Sequence, residues 1–313
     1  MEDELAFIKR LRGKERDVPP GEHWIGDDAA VLDGGLLFAT DVLVEGVHFD
    51  LEWCSGGDVG WKALAVNLSD LAAMGGTPRA AVVAMVVPRG RPALADEVAA
   101  GLGEAATNFG CPIVGGDTSA GETLVVTVSV LGAAPDSGAV LRSGAKDGDA
   151  IFVTGKLGGA AAALRLLQET KAGSATVLGA EPIGLERLRR PTPRLREGRA
   201  AARAGATAMI DLSDGLSGDL AHICEESGVG AVINASVIPV APMATLADVF
   251  GGGDDYELCF VAADAASLTE AFARAGLDAP VCIGRVTRAR QVLVEDHGTI
   301  GPMPEAGWRH RFC

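Results

Sequence analysis

Aspartates follow short apolar segments at four places in this sequence, where their oxygens are suited to binding a divalent cation. Carboxylate oxygens are the ligands that hard cations such as Mg²⁺ prefer. Taken singly, each aspartate is as consistent with a turn or a helix cap as with a ligand. The four places are Asp27-Asp28 after residues 24–26, Asp41 after 36–40, Asp117 after 113–116, and Asp211 with Asp214 after 208–210.

Asp70 lies in an apolar segment, 65–74, that predicts a helix ending at Gly75-Gly76. Asn67 and Asp70 are three residues apart and therefore share a face of this helix. A carboxylate in the last turn meets the negative end of the helix dipole, at a cost of ~0.3–1 kcal/mol. A bound Mg²⁺ would offset that cost. A salt bridge to Lys62 or to an arginine is the alternative explanation.

Two glycine-rich segments stand next to these acids, Gly115-Gly116 before Asp117 and 251–253 before Asp254. Without a β-carbon, glycine lets the backbone approach a bulky ligand closely. Arg142 is a fork-shaped donor that could clamp a phosphate, or it could be an ordinary surface charge.

Common nucleotide-binding motifs are missing. The segment 154–157 has the lysine of a phosphate loop but lacks its glycine spacing and its hydroxyl. Gly101 and Gly103 have dinucleotide-fingerprint spacing, but they lie inside a helical pattern, so we interpret the match as chance. His48 could contact a phosphate, although a histidine with no further context more often satisfies the core.

The elements that must position these residues alternate between strand-like and helical segments, which indicates an α/β or α+β architecture. A cluster of small and turn-forming residues at 133–138 predicts a linker, and hence domains 1–138 and 139–313. Predicted strands cover 36–40, 80–87, 112–114, 123–132 and 149–154, with another ending at 212; predicted helices cover 59–74, 93–109, 158–170 and 215–227.

Composition limits the function classes. Hydrophobic residues make up 48% of the 313-residue chain, enough for a folded core, and the net charge of −15 disfavours nucleic-acid binding. The longest apolar stretch, 80–87, is far too short to span a membrane, and no export signal precedes it. The six scattered cysteines fit neither a zinc site nor a disulfide framework. We therefore expect a cytoplasmic protein with reduced, mostly buried thiols.

Seven blocks of sequence, taken in order, strongly resemble the bacterial thiamine-monophosphate kinase family, and together they extend over nearly the whole chain. The blocks are 25–30, 40–49, 62–75, 115–118, 141–146, 210–216 and 255–260.

This resemblance implies the fold of the aminoimidazole-ribonucleotide-synthetase superfamily. Two α/β domains are expected, with the N-terminal domains pairing into a homodimeric barrel. The implied reaction is the last step of thiamine diphosphate synthesis, in which ATP gives its γ-phosphoryl group directly to thiamine monophosphate with several Mg²⁺ ions. The resemblance also implies that no phosphoenzyme forms. Independently of the resemblance, the attacking phosphate oxygen is already ionised at neutral pH, so no strong general base is required.

The resemblance also implies roles for individual residues. Asp70, Asp117 and Arg142 are the expected catalytic residues, and Trp308 could stack on a ring of the substrate or pack against the core. The expected Mg²⁺ ligands are Asp28, Thr40, Asp41, Asp70, Asp117, Asp211 and Asp214; the expected ATP contacts are Gly116, Asp117, Arg142 and Ser213; the expected substrate contacts are His48, Asp254 and Trp308.

The chain departs from the family at two positions. Asp254 replaces the usual Glu, which shortens the carboxylate by one methylene, and the C-terminal Cys313 is interpreted as incidental. Two alternative functions stay open. One is another ATP-dependent synthase of the superfamily, although the selenophosphate branch needs a reactive cysteine before Cys54 that is missing here. The other is a nucleotide or metal sensor without turnover.

Overall fold

The structure is a computed structural model that describes residues 4–13, 17–171 and 184–307. Its helices and strands alternate along the chain, as the sequence pattern predicted. The helices are α1 Glu4–Arg12, α2 Gly56–Ala73, α3 Ala93–Phe109, α4 Gly159–Lys171, α5 Leu185–Arg189, α6 Leu195–Arg203, α7 Leu216–Ser227, α8 Leu246–Gly251 and α9 Ala265–Arg274. The strands are β1 Ala30–Leu32, β2 Leu36–Val44, β3 Thr77–Pro88, β4 Ile113–Gly121, β5 Val125–Ala133, β6 Ala150–Val153, β7 Ala208–Asp211, β8 Gly230–Asn234, β9 Leu258–Ala262, β10 Val281–Thr287, β11 Val292–Asp296 and β12 Thr299–Pro302.

The strands form two mixed sheets, one in each half of the chain. The first has the order β1-β2-β5-β3-β4 and the second has the order β12-β11-β8-β10-β6-β9-β7. The predicted linker lies in the connection between β5 and β6, and the domain boundary at residue 138 stays a prediction. Within the described residues, every helix is too short or too polar to cross a bilayer.

Two strands run further than predicted, so the expectation that each aspartate follows a strand end is wrong for Asp41 and Asp117. β2 continues to Val44 and β4 continues to Gly121, which places both aspartates inside strands. Inside β2, the backbone N–H of Asp41 donates to the side-chain oxygen of Asn67 at 3.0 Å. β4 is an exposed edge strand, where a carboxylate stays in water. Asp211, as predicted, ends its strand.

Helix α2 is the central element of the molecule. It begins with a capping box in which Ser55 and Asp58 exchange hydrogen bonds, and most of its side chains are buried. It packs closely on α3: a β-carbon on Gly101 would lie only 1.9 Å from the Gly57 carbonyl oxygen. The chance motif at Gly101 therefore has a structural explanation, because only glycine lets the two helices approach this closely.

The two halves of the chain share a hydrophobic core. Leu64, Leu68 and Leu71 of α2 belong to the same buried cluster as Phe260 of β9 and Phe272 of α9. A second cluster, which includes Ile151 and Ile210, fills the space between the second sheet and α7. Of the five described cysteines, all but Cys282 are buried, as the composition predicted.

One face of the first sheet is uncovered in this chain. Along β2, buried Leu37 and Leu43 alternate with Phe38 and Val42, which are about half exposed on the opposite face. Val82 of β3 and Val114 of β4 add further exposed apolar surface. We call this set the outer sheet face.

Candidate functional site

Three carboxylates from distant parts of the sequence converge beside the end of α2. Asp28 lies in the turn before β1, Asp70 in the last turn of α2, and Asp211 at the end of β7. One oxygen of each lies within 4.8 Å of the others. The contact between Asp211 and α2 is direct, because Ser69 Oγ donates to Asp211 Oδ2 at 2.5 Å.

Burial and the charges of neighbouring carboxylates make Asp70 and Asp211 hard to ionise. Desolvation, followed by the charges of Asp41 and Asp211, raises the pKa of Asp70 well above its usual value. Burial, followed by the Asp28 charge, raises the pKa of Asp211 to about 8, although the hydrogen bond from Ser69 acts in the opposite direction. Such a cluster is stable as carboxylates only beside positive charge.

Arg142 supplies part of that charge. Its Nη2 donates to Asp28 Oδ1 at 2.6 Å, and its backbone N–H donates to Asp27 Oδ2 at 3.0 Å. The nearby carboxylates raise the pKa of this buried guanidinium despite its desolvation. Arg142 is therefore an internal counter-ion of the carboxylate cluster and not an ordinary surface charge.

The cluster nevertheless keeps unused bonding capacity. Among the described residues, Asp28 Oδ2 and Arg142 Nε are buried and have no hydrogen-bond partner. Buried polar atoms are normally paired, so an orphaned carboxylate oxygen beside two further carboxylates forms a site that fits a cation. The atoms of the cluster that could bind a metal ion are all carboxylate oxygens, which are the ligands that Mg²⁺ prefers.

A cavity of about 710 Å³ opens between the two halves of the chain, next to this cluster. Asp41 lines it, and Asp41 is also one of the charges that raise the pKa of Asp70. Four other residues predicted to contact a metal, ATP or substrate line the same cavity: His48, Ser213, Asp214 and Asp254.

Lys62 joins the two halves of the cavity wall. Its buried ammonium donates to Asp254 Oδ2 at 2.8 Å and to the His48 carbonyl oxygen at 3.2 Å. The tyrosine hydroxyl of Tyr256 donates to the other oxygen of Asp254 at 2.9 Å. The suggested salt bridge between Lys62 and Asp70 is therefore wrong: the lysine, two turns earlier in α2, faces the cavity and not the carboxylate cluster.

His48 is held by the backbone of β2. Its Nδ1 accepts the Val44 N–H at 3.0 Å, which places the proton of a neutral imidazole on Nε2. The tautomer suits donation to an anionic oxygen in the cavity. His48 is half-buried at the cavity wall, so the structure does not bury it as a core residue.

Hydrogen bonds to the side chain of Asp219 hold the loop that contains Ser213 and Asp214. Asp219 Oδ2 accepts the backbone N–H groups of Asp214 and Gly215 at 3.2 and 3.1 Å. The Ser213 carbonyl oxygen in turn accepts the Asp254 N–H at 2.9 Å. A β-carbon on Gly253 would meet that carbonyl at 2.4 Å, so the predicted close approach occurs between two loops of the chain itself.

Three predicted ligands stand apart from the carboxylate cluster. Thr40 points to the outer sheet face, where its hydroxyl donates to Val128 O at 3.0 Å. Gly116 and Asp117 lie on exposed β4, with Asp117 in register with exposed Ala84. Trp308 and Cys313 lie outside the described residues.

Sequence analysis missed several residues that shape the site. Lys62 was considered only as a partner of Asp70. Tyr256 is the single tyrosine of the chain and adjoins the Asp254-Asp255 pair, a signal that was available. Trp53 and Phe49, which line the cavity, follow His48 closely in sequence.

Known proteins are similar to this chain in sequence and in fold over nearly its whole length. Residues 26–134 match the family described as AIR synthase related protein, N-terminal domain, and residues 146–296 match its C-terminal domain. The thiamine-monophosphate kinase of Escherichia coli K12 is 38% identical over 294 residues, covering 90% of this chain and 88% of that protein.

Two solved structures extend the comparison. A structure described as AaThiL complexed with AMPPCP and TMP covers 99% of this chain and 97% of its own, with 29% identity and a TM-score of 0.84. The thiamine-monophosphate kinase of Stenotrophomonas maltophilia K279a is 37% identical, with a TM-score of 0.75 and coverage of 94% of this chain and 96% of that one.

The fold and the site thus define a two-domain α/β protein of the AIR synthase related class. Within that class the chain belongs to the thiamine-monophosphate kinase family, whose members are ATP-dependent phosphotransferases.

Proposed function

We propose that this protein transfers the γ-phosphoryl group of ATP to thiamine monophosphate, giving thiamine diphosphate and ADP, the last step of thiamine diphosphate synthesis. The observation that supports this most directly is the cavity between the two halves, which opens beside the cluster of Asp28, Asp70 and Asp211. Two phosphorylated substrates can meet there only if their charges are neutralised.

Asp28, Asp70 and Asp211 are the residues that would hold Mg²⁺, with Asp41 and Asp214 close by at the cavity wall. When bound, the metal neutralises the negative charge on the phosphate oxygens. Arg142 can also neutralise phosphate charge. Asp28 holds its Nη2 in place, and its Nε has no partner among the described residues and can donate to a phosphate oxygen. We assign it a phosphate contact.

The cavity walls suit a charged heteroaromatic substrate. Trp53, Phe49 and Tyr256 provide aromatic surface, and Asp254 provides a carboxylate for a cationic ring. His48 donates from Nε2 toward phosphate. Trp308 remains a proposed ring contact.

The transfer is direct and in line. The bond between the γ-phosphorus and its bridging oxygen to ADP breaks, and a bond to an oxygen of the thiamine monophosphate phosphate forms. That oxygen is ionised at neutral pH, so none of the cavity residues has to act as a strong base. The chain's contribution is to position the two phosphates and exclude water.

A homodimer is part of the proposal. The outer sheet face exposes Phe38, Val42 and Val82 in a continuous sheet, and apolar surface of this kind marks an interaction site. A second copy of the chain that covers this face would also enclose Asp117 on β4. We therefore infer that Asp117 takes part in metal or ATP binding only when the N-terminal sheets of two copies are paired.

Product analysis tests the function. Chromatography after incubation with ATP, Mg²⁺ and thiamine monophosphate should show equal amounts of thiamine diphosphate and ADP, and omission of any one component should abolish both. ATP hydrolysis with no thiamine diphosphate would favour another synthase of the class. ATP binding with no turnover would favour a sensor.

A further inference from the structure

A second cavity, of about 610 Å³, lies between α6 and α9 and shares none of its lining residues with the cavity described above. Four arginines line it: Arg196, Arg199 and Arg203 from α6 and Arg274 from α9. Glu270 is the one carboxylate in the lining. In a chain with a net charge of −15, this concentration of positive charge is unusual.

The packing of α6 fixes the arginines on the cavity side. Their spacing, three and then four residues, places all three on one helix face. The opposite face is small and buried: a β-carbon on Gly198 would lie 2.0 Å from the Ala72 carbonyl oxygen of α2. Ala201 and Ala202 are buried on the same side. The helix therefore cannot rotate to carry its arginines away from α9.

These positive charges are only partly neutralised. Arg274 pairs with Glu270, and Arg196 Nη2 donates to the Ala275 carbonyl oxygen at 2.6 Å. Within the described part of the chain, the guanidinium groups of Arg199 and Arg203 make no hydrogen bond or ion pair. Burial, followed by the charges of Arg203 and Arg196, lowers the pKa of Arg199.

The arrangement costs stability unless an anion is present. Arg199 and Arg203 are a like-charged pair one helical turn apart, which destabilises a helix. The other lining residues are small: Ala200, Ala204, Ala271, Ala275 and Ser267. They leave room between the guanidinium groups and offer no aromatic surface for a ring.

We propose that the arginine-lined cavity binds a small polyanion that carries a diphosphate group. Guanidinium forks match phosphate oxygens bidentately, and forks on two facing helices match two adjacent phosphates. The absence of aromatic lining residues among those described means that recognition is directed at the phosphates. The cavity is open to solvent along the exposed arginines, and its volume suits a small molecule.

Calorimetric titration of the full-length protein with inorganic pyrophosphate, in buffer with EDTA, tests the proposal. Without divalent metal the acidic catalytic cavity repels this probe. We expect saturable binding of about one pyrophosphate per chain, weakened about tenfold or more in Arg199→Gln/Arg203→Gln. The matched control Arg89→Gln/Arg288→Gln removes two exposed arginines elsewhere and should bind within about twofold of wild type.

Two further titrations test whether the site recognises phosphate and whether both helices contribute to it. Citrate, an anion of similar charge without phosphate, should bind more weakly than pyrophosphate, and equal affinity would overturn the assignment to phosphates. No saturable binding by the wild type in the millimolar range, or equal binding by both double variants, would overturn the site itself. Arg274→Gln, on the other helix, repeats the test if the first variant is unstable. None of these outcomes depends on the proposed catalytic activity.

Discussion

Lys62 Nζ lies 2.8 Å from Asp254 Oδ2, and this ion pair joins residues 192 positions apart at the wall of the cavity between the two halves of the chain. It fixes the position of a carboxylate that is one methylene shorter than the glutamate expected from the family resemblance. Tyr256 holds the second oxygen of Asp254. Asp254 also has a positive φ of 69°, so its backbone is set by the surrounding contacts and not by its own preference.

Asp254→Glu should therefore be tolerated. The flexible lysine side chain can follow a longer carboxylate, so we expect kcat and KM for thiamine monophosphate to stay within about threefold of wild type. Asp254→Ala, which removes the carboxylate, is the comparison and should raise KM about tenfold or more. Steady-state kinetics on both variants measure this. A large rise in KM for Asp254→Glu would show that the pocket requires the shorter side chain.

Asp70→Asn should abolish most turnover and leave the fold intact. The substitution keeps the shape of the side chain but removes the charge that binds a cation, so we expect kcat to fall about 100-fold or more. Circular dichroism should be unchanged. Asp96→Asn, an exposed acid at the start of α3, is the control and should retain wild-type kinetics. Near-wild-type activity of Asp70→Asn would remove Asp70 from the metal site.

The metal-free protein should lose stability as the pH rises toward 8. Burial and the Asp28 charge raise the pKa of Asp27 to about 7, and the pKa of Asp211 is about 8, both above an unfolded value of ~3.9. The folded state therefore holds extra protons from about pH 4 upward. The free energy of unfolding therefore falls as the pH rises from about 4, and the loss is complete once the pH has passed the folded-state pKa values of about 7 and 8.

Melting temperatures between about pH 5 and pH 9, with EDTA or with Mg²⁺, check this expectation. Because Mg²⁺ competes with the protons, the increase in melting temperature that it causes should grow with pH over the same window. Asp211→Asn should flatten most of that growth. A Mg²⁺ effect independent of pH would contradict the assignment of Asp211 as a metal ligand.

Gly101→Ala and Gly103→Ala, two residues apart in α3, should have opposite effects on stability. The first β-carbon would lie 1.9 Å from the Gly57 carbonyl oxygen, whereas the second meets nothing within 4 Å. We expect a loss of about 1–3 kcal/mol or more in the free energy of unfolding for Gly101→Ala. Gly103→Ala should gain about 0.5–1 kcal/mol from helix propensity. Urea denaturation measures both, and equal effects would mean that α2 and α3 pack less closely than described.

Phe38→Glu/Val42→Glu should dissociate the proposed homodimer. Charges on the outer sheet face cannot be buried against a second copy, so we expect the dimer to weaken about tenfold or more. Sedimentation velocity gives the mass distribution. Val237→Glu, at an exposed apolar position outside this sheet, is the control. A monomeric wild type, or an unchanged dimer in the double variant, would refute pairing through this face.

The elements with strong periodicity were predictable from sequence. Helix α3 has the predicted bounds, 93–109, and α7 begins one residue after the predicted 215. Hydrophobic periodicity and flanking turn residues determine such segments locally. The strand at β4 was predicted over 112–114 only, and Gly115-Gly116 was interpreted as a segment that lets a ligand approach closely. An exposed edge strand, however, accepts glycine and aspartate without burying them.

The site was only partly predictable. Aspartates at segment ends pointed to Asp28 and Asp211, and the unfavourable helix position pointed to Asp70. Which basic side chain pairs with which acidic one depends on packing between segments distant in sequence. The ion pairs Arg142–Asp28 and Lys62–Asp254 therefore could not be predicted from local patterns. For the same reason Asp219 was not predicted: its side chain accepts the backbone N–H of Asp214, a contact that forms only when the preceding loop folds over it.

The shared core has a consequence for how the chain is made. During translation, α2 and the first sheet emerge from the ribosome long before Phe260 and Phe272 are synthesised. These two phenylalanines pack against the same core. A nascent N-terminal half therefore has an apolar face that nothing covers until nearly the whole sequence has emerged. The nascent chain is prone to aggregation while residues 134–272 are being synthesised, and its dependence on chaperones should be greatest in that interval.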